Sequence, residues 1–195
     1  MTVIPRPKGK FIIPVRTLFN VKVDNVTGET ICKSRVVARG DIQKRRLHIV
    51  DKYRAPVAGA VAVRIYIILS LNQESRRQGD VSTALLHGLL HKTIYLELPD
   101  GHPKKQGKLY VWKTTSSLYG LLESAHAWFM RIYSVLLELG FKSLLSDNCF
   151  FQLHNDQGSI HVLLYVDDLL FSGSTSLCDW LETKLCDSFL GEIYY

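Results

Sequence analysis

Several things are missing from this 195-residue sequence, and each absence removes a class of protein. No apolar run approaches the roughly 18 residues that a membrane-spanning helix needs. The opening residues are basic, but their apolar run is only Phe11 to Ile13, which does not make a secretory signal. The four cysteines, Cys32, Cys149, Cys178 and Cys186, are scattered with no C-x-x-C pair, so they read as reduced thiols rather than a disulfide scaffold or a zinc site. There is no G-x-S-x-G to suggest a hydrolase, no internal repeat and no low-complexity stretch. His87 and His91 have the i, i+4 spacing of a zinc helix, but Gly88, Leu89 and Leu90 between them supply no Glu as general base.

What is present is uneven charge. The net charge is +6. Residues 1–54 hold 13 Lys and Arg against 4 Asp and Glu, whereas residues 55–195 hold 11 against 14. A basic front joined to a mildly acidic remainder suits an anionic partner, nucleic acid being the commonest, and equally suits a plain solvated surface.

Periodicity gives the coarse order of elements. Residues 1–10 read as a flexible basic lead-in. FIIPV and the alternation Phe19-x-Val21-x-Val23 read as strands, with a turn at Asn25 to Gly28. Asp41 to Ala55 reads as loop, Val57 to Leu71 as an apolar helix, 94–98 as a strand and 99–107 as a loop. Trp128, Ile132, Val135, Leu136 and Leu139 follow a 3.6-residue period that stops at Gly140. Leu177, Leu181, Leu185 and Phe189 mark a second helix, with Ser174 to Ser176 as N-cap candidates and Gly191 as its stop. Between these helices two apolar hairpins fit, so the fold class is α+β with helices on one face of an antiparallel sheet.

HVLLYVDDLLFSGS (161–174) places Asp167 and Asp168 at the turn between the two most apolar strands. Carboxylates buried there would be desolvated, which raises their pKa or demands a partner. No Lys or Arg lies within ten residues on either side. A divalent cation such as Mg²⁺, which takes hard oxygen ligands, meets the need; an ordinary Asp-containing surface turn is the alternative. Two-metal chemistry draws a further carboxylate from another element. Asp80 in QGDVSTALLHG is the best candidate, with a helix N-cap as its alternative role.

Five blocks in order now have a counterpart. RVVARGDIQ (35–43), GDVSTALLHG (79–88) with IYLELPDG (94–101), SLYGLLESAHAWF (117–129), LGFKSLLSDNCFF (139–151) and LLYVDDLLFSGS (163–174) resemble the reverse transcriptase of copia-type long-terminal-repeat retrotransposons, a part of the Pol polyprotein. The resemblance runs over about residues 12–191. It implies right-hand fingers over 11–75 and a palm over 76–195 with the YVDD hairpin at 165–168, the thumb and ribonuclease H being expected absent. It implies that Asp80, Asp167 and Asp168, with the carbonyl of Val81, hold two Mg²⁺ ions (Mn²⁺ as substitute) for templated nucleotidyl transfer. Arg35, with Lys22 and Arg39, would meet the triphosphate, and Tyr119 and Gly120 would lie along the incoming nucleotide. Partners would be an RNA or DNA primer–template, deoxynucleotides and other Pol parts. The implied location is cytoplasmic particles, with the nucleus as alternative.

Departures from the family pattern matter. Leu85 stands where the family has a Phe that resembles the ring blocking a ribose 2′-hydroxyl. Ala125 and His126 replace a Pro-Arg pair, Leu122 a Lys, and Thr17 a Trp. Together they look like drift under weak constraint. Two functions therefore stand side by side: an RNA-directed DNA polymerase domain, and a catalytically silent relic that at most binds nucleic acid.

Overall fold

A computed structural model describes residues 1–23, 28–47, 53–105, 108–189 and 193–194. The expected turn at Asn25 to Gly28 lies largely outside the described residues, as does the expected stop at Gly191. The fold is mixed α+β. The chain folds as two compact units, each built from two separate segments: Met1–Tyr53 with Leu89–Ser124, and Arg54–Gly88 with Ala125–Tyr195.

The first unit contains a four-stranded sheet in the order β1-β7-β6-β2, formed by β1 (Thr2–Pro5), β2 (Ile12–Ile13), β6 (Leu89–Glu97) and β7 (Tyr110–Ser116). Beside it stands a two-stranded ribbon of β3 (Val15–Val23) and β4 (Thr30–Ala38). Two local expectations are corrected here. Residues 2–5 are not a loose lead-in but an edge strand, with Val3 opposite Trp112 and Ile4 opposite Val111. Their apolar pair outweighs the basic residues that follow. Residues 40–47 are not loop but helix α1 (Gly40–Leu47), whose first turn carries Asp41, the sign of charge a helix N-terminus favours.

The second unit is a six-stranded antiparallel sheet in the order β12-β5-β11-β10-β9-β8. Its strands are β5 (Ser75–Val81), β8 (Lys142–Leu144), β9 (Asp147–Asn155), β10 (Gly158–Tyr165), β11 (Asp168–Gly173) and β12 (Ile193–Tyr194). Helices α2 (Ala60–Ser70), α3 (Ser124–Glu138) and α4 (Thr175–Ser188) sit against it, with only Ser124 of α3 counted in the first unit. The predicted periods hold. Ile132 and Leu136 are fully buried on α3, Leu181 and Leu185 on α4. The hydroxyl of Ser174 accepts the amide of Leu177 as an N-cap, and Gly140 ends α3 in the left-handed region with φ 92°.

The helices do not share one face. Neighbouring residues on a strand point to opposite sides. Phe150 meets Tyr66 of α2, while Phe151 meets Tyr133 of α3. On β11's neighbour β5, Arg77 pairs with Asp179 and Glu182 of α4 from the face carrying Phe171. In β10, Val162 lies opposite Phe151 and Leu163 opposite Phe150. So α3 and α4 cover one face and α2 the other. Strands β9 and β10 are apolar on both sides, and one helical layer would have left Phe150 and Leu163 in water.

Candidate active site

In the second unit, β10 and β11 are joined at Val166–Asp167, so the YVDD stretch is the tip of a hairpin. Antiparallel pairing sets Asp168 directly opposite Asp80 on β5. Directly opposed residues carry their Cβ atoms about 4.5–5.5 Å apart on one face. The amide of Val81 donates to the carbonyl oxygen of Asp167 at 3.5 Å, which ties the tip to the end of β5. Gln78 donates through Nε2 to Oδ1 of Asp168 at 3.2 Å. Val81 itself is buried, at 1 % exposure. Asp80 is a strand residue and not a helix cap.

The carboxylates are not buried, contrary to the sequence reading. The sheet buries Leu164 and Leu169, but the turn leaves Tyr165, Val166 and Asp167 exposed, with Asp168 half-buried. Even so, Asp80 does not behave as a free carboxyl. Partial burial pushes its pKa up, and the negative charges of Asp167 and Asp168 push it the same way.

Val166 holds φ 61°, a region that β-branched residues avoid. The indole Nε1 of Trp128 donates to its carbonyl oxygen at 2.8 Å. That bond, from a side chain 1 % exposed on α3, pins the strained tip. The helical period of Trp128 accounts for its burial in the core and gives no sign of this second role. Tertiary pairing alone shows it.

A divalent cation fits the donor set, since three carboxylates supply hard oxygen ligands and two of them face one another across a ladder. Among the described residues, however, no three His, Cys, Asp or Glu side chains are drawn together into a cage. Leu85 lies in a single 3₁₀ turn (Ala84–His87), partly buried against the core. His87 packs its ring on Trp128 and Phe189, while His91 is in β6, so the two never share a helix face.

The first unit gathers the other candidates. The guanidinium of Arg35 stands 5.9 Å from the centre of the Tyr119 ring, a cation–π contact. The amide of Ala38 donates to the carbonyl oxygen of Tyr119 at 2.7 Å. Gln43, fully buried, accepts the amide of Leu122 at 3.1 Å. Gly120 has φ 86°, and a Cβ there would stand 2.2 Å from the oxygen of Ala38. A Cβ on Gly40 would stand 2.1 Å from the oxygen of Gly120. The RVVARGDIQ and SLYGLL stretches are therefore one backbone crossing, which only glycine at both positions permits. Arg39 is engaged differently: its Nε and Nη2 donate to Asp41 at 2.8 and 2.7 Å. That bidentate pair holds the Asp41 carboxyl down at about 2. Lys22 lies four ladder positions from Arg35 on the ribbon, roughly 13 Å along the strand.

A sheet that opposes an aspartate on one strand to a YVDD tip on the next, found with this order of sequence blocks, has a family. The profile described as reverse transcriptase (RNA-dependent DNA polymerase) matches residues 1–189, and the chain belongs to that family. Among individual proteins it is similar to the retrovirus-related Pol polyprotein from transposon TNT 1-94 of Nicotiana tabacum, 33 % identical over 186 residues, covering 94 % of this chain and 14 % of the relative. It is likewise similar to the Pol polyproteins from transposons RE1 and RE2 of Arabidopsis thaliana, 31 % and 30 % identical over 87 % and 89 % of this chain, and over 12 % of each relative. These are copia-type Pol polyproteins, as the motifs implied. The chain thus spans about an eighth of the length of the relatives it matches.

Proposed function

We propose that this chain is a polymerase domain that extends a primer on an RNA or DNA template. The observation that carries the reading is the register of Asp168 against Asp80, beside Asp167 at a strained and pinned tip. In this reading residues 11–75 act as the fingers and residues 76–195 as the palm. Asp80, Asp167 and Asp168, with the Val81 carbonyl, hold Mg²⁺ or Mn²⁺. Bound there, the cations would activate the primer 3′-hydroxyl and neutralise the leaving pyrophosphate. The chain's own part is to supply and space the carboxylates, keep the tip rigid through Trp128, and present Arg35 over Tyr119 to an anionic nucleotide. Lys22 adds long-range charge, and Arg39 contributes less while Asp41 occupies it. Tyr119 and Gly120 lie along the incoming nucleotide, held by the close crossing of Gly120 with the Ala38 backbone, and Leu85, smaller than Phe, weakens exclusion of ribonucleotides. The setting would be a cytoplasmic particle with other Pol parts.

The second reading, a silent relic, is favoured by the uncaged carboxylates together with Leu85 and His126. Primer extension on an RNA template with Mg²⁺ or Mn²⁺ separates the two. Extension by the wild type that falls by at least about a thousandfold in Asp167→Asn supports the enzyme. A folded protein that fails to extend with either cation supports the relic.

A further inference from the structure

The first unit holds a cleft of about 370 Å³ at the open edge of its four-stranded sheet. Strand β2 is two residues long and pairs with β6 only through Ile12 opposite Tyr95 and Ile13 opposite Leu96. Ahead of that pairing the two segments part, and Lys10 and Phe11 line the gap on one side, Lys92 to Ile94 on the other. Tyr53 and Glu123 complete the lining. Lys10 and Lys92 are exposed, Phe11, Tyr53 and Tyr95 are partly buried, and Glu123 is 9 % exposed. The cleft therefore runs from a cationic mouth, past three aromatic rings, to a carboxylate at depth. Among the described residues no hydrogen bond or ion pair engages that carboxylate. A buried charge without a partner is costly, so Glu123 calls for a donor that enters the cleft. None of these residues belongs to the aspartate site or to the Arg35–Tyr119 contact.

We infer that this cleft binds a guanine nucleotide. The inference goes beyond the polymerase reading and does not rest on it. Inorganic phosphate would satisfy the two lysines and leave Glu123 unanswered, and a simple cation would do the reverse. A flat ring that joins an anionic group to a donor edge answers all three parts. The aromatic walls take the base by stacking. A carboxylate only accepts hydrogen bonds, so it selects a base edge made of donors. Guanine has two side by side, N1–H and the 2-amino group, which can meet both carboxylate oxygens as a charge-assisted pair. Adenine and cytosine set a ring-nitrogen acceptor beside their amino group, and uracil's one N–H lies between two carbonyls. Each of these would press a lone pair against Glu123. The phosphate is left at the mouth, where Lys10 and Lys92 supply point charges. The volume is at the small end of the roughly 300–1,000 Å³ of ligand sites, enough for one nucleotide and not for a duplex. A free guanine nucleotide and an unpaired guanosine within a strand carry this same chemistry.

Isothermal titration calorimetry of the full chain with guanosine 5′-monophosphate tests this. Working in EDTA and without primer–template keeps any metal-dependent nucleotide site out of the signal. The wild type should bind it at least about tenfold tighter than adenosine 5′-monophosphate. Glu123→Gln, which turns one acceptor into a donor, should erase that preference. Lys92→Ala should weaken both nucleotides alike, by about fivefold, and Lys33→Ala, on the β3–β4 ribbon, should change neither. An RNA trinucleotide with a central guanosine that binds tighter than the monophosphate assigns the cleft to a strand, and one that binds more weakly assigns it to the free nucleotide. If Glu123→Gln disturbs folding by circular dichroism, photo-cross-linking of 8-azidoguanosine 5′-monophosphate to the unaltered chain carries the test, with adducts expected in residues 10–13, 53 or 92–95. No binding at millimolar nucleotide, equal binding of the adenine nucleotide, or adducts confined to other peptides overturns the inference.

Discussion

At the residue scale, Asp80 is the candidate site carboxyl whose pKa is raised, first by partial burial and then by the charges of Asp167 and Asp168. An acid whose folded pKa is raised binds its proton more tightly in the folded state than in the unfolded one. It favours the fold at low pH and loses that contribution as pH rises through the folded pKa, so at pH 7 the three charges oppose folding. Asp80→Asn should therefore raise the melting temperature at pH 7 by about 1–3 °C, a modest value because the group is solvent-screened. The gain should vanish below about pH 4, near the ordinary carboxyl range. Mg²⁺ should raise the wild-type melting temperature and leave the variant's unchanged. Differential scanning fluorimetry across pH, with and without Mg²⁺, reads all three. These carboxylates were legible in the sequence because Asp-Asp between apolar strands is conspicuous. Their exposure was not, because the strands on either side are buried and the turn between them carries no sequence signal of its own access to solvent.

At the element scale, the crossing of α1's start with the Tyr119–Gly120 segment fixes the first unit. Gly40→Ala would set a Cβ 2.1 Å from a backbone oxygen, and backbone cannot step aside as a side chain does. The expected cost is about 3 kcal/mol or more. Thermal melts and limited proteolysis should show it, with the arm of cleavage lying in residues 1–53 or 89–124. The sequence showed both glycines inside recognisable blocks but not that they touch, since their separation of eighty residues has no periodic signature. The long helices were readable for the opposite reason: α3 and α4 repeat their apolar residues every turn. Strand β1 was obscured by its basic neighbours, and α2's face could not be read because Val and Ile fill it all round.

At the scale of the whole molecule, the units interleave along the chain. The reading of consecutive segments, 11–75 followed by 76–195, cuts elsewhere than these units do. A piece comprising 76–195 would lack Ala58, Ala62 and Tyr66, which belong to the core under Phe150, and β6 would lose β2. It should melt without a cooperative transition and give a weak near-ultraviolet circular dichroism signal, whereas the full chain should give both.

The same interleaving sets an order on synthesis. By the time Ser124 leaves the ribosome, every strand of the first unit's sheet and ribbon has been made. Strand β5, made far earlier, still waits for β11, its neighbour in the other sheet. Asp80 is thus translated almost ninety residues before the aspartate it will face. Such long-range pairing is slow, so a nascent chain holds one finished unit and, beside it, the apolar helix α2 and strand β5 still without their sheet. That interval is when a chaperone has most to protect.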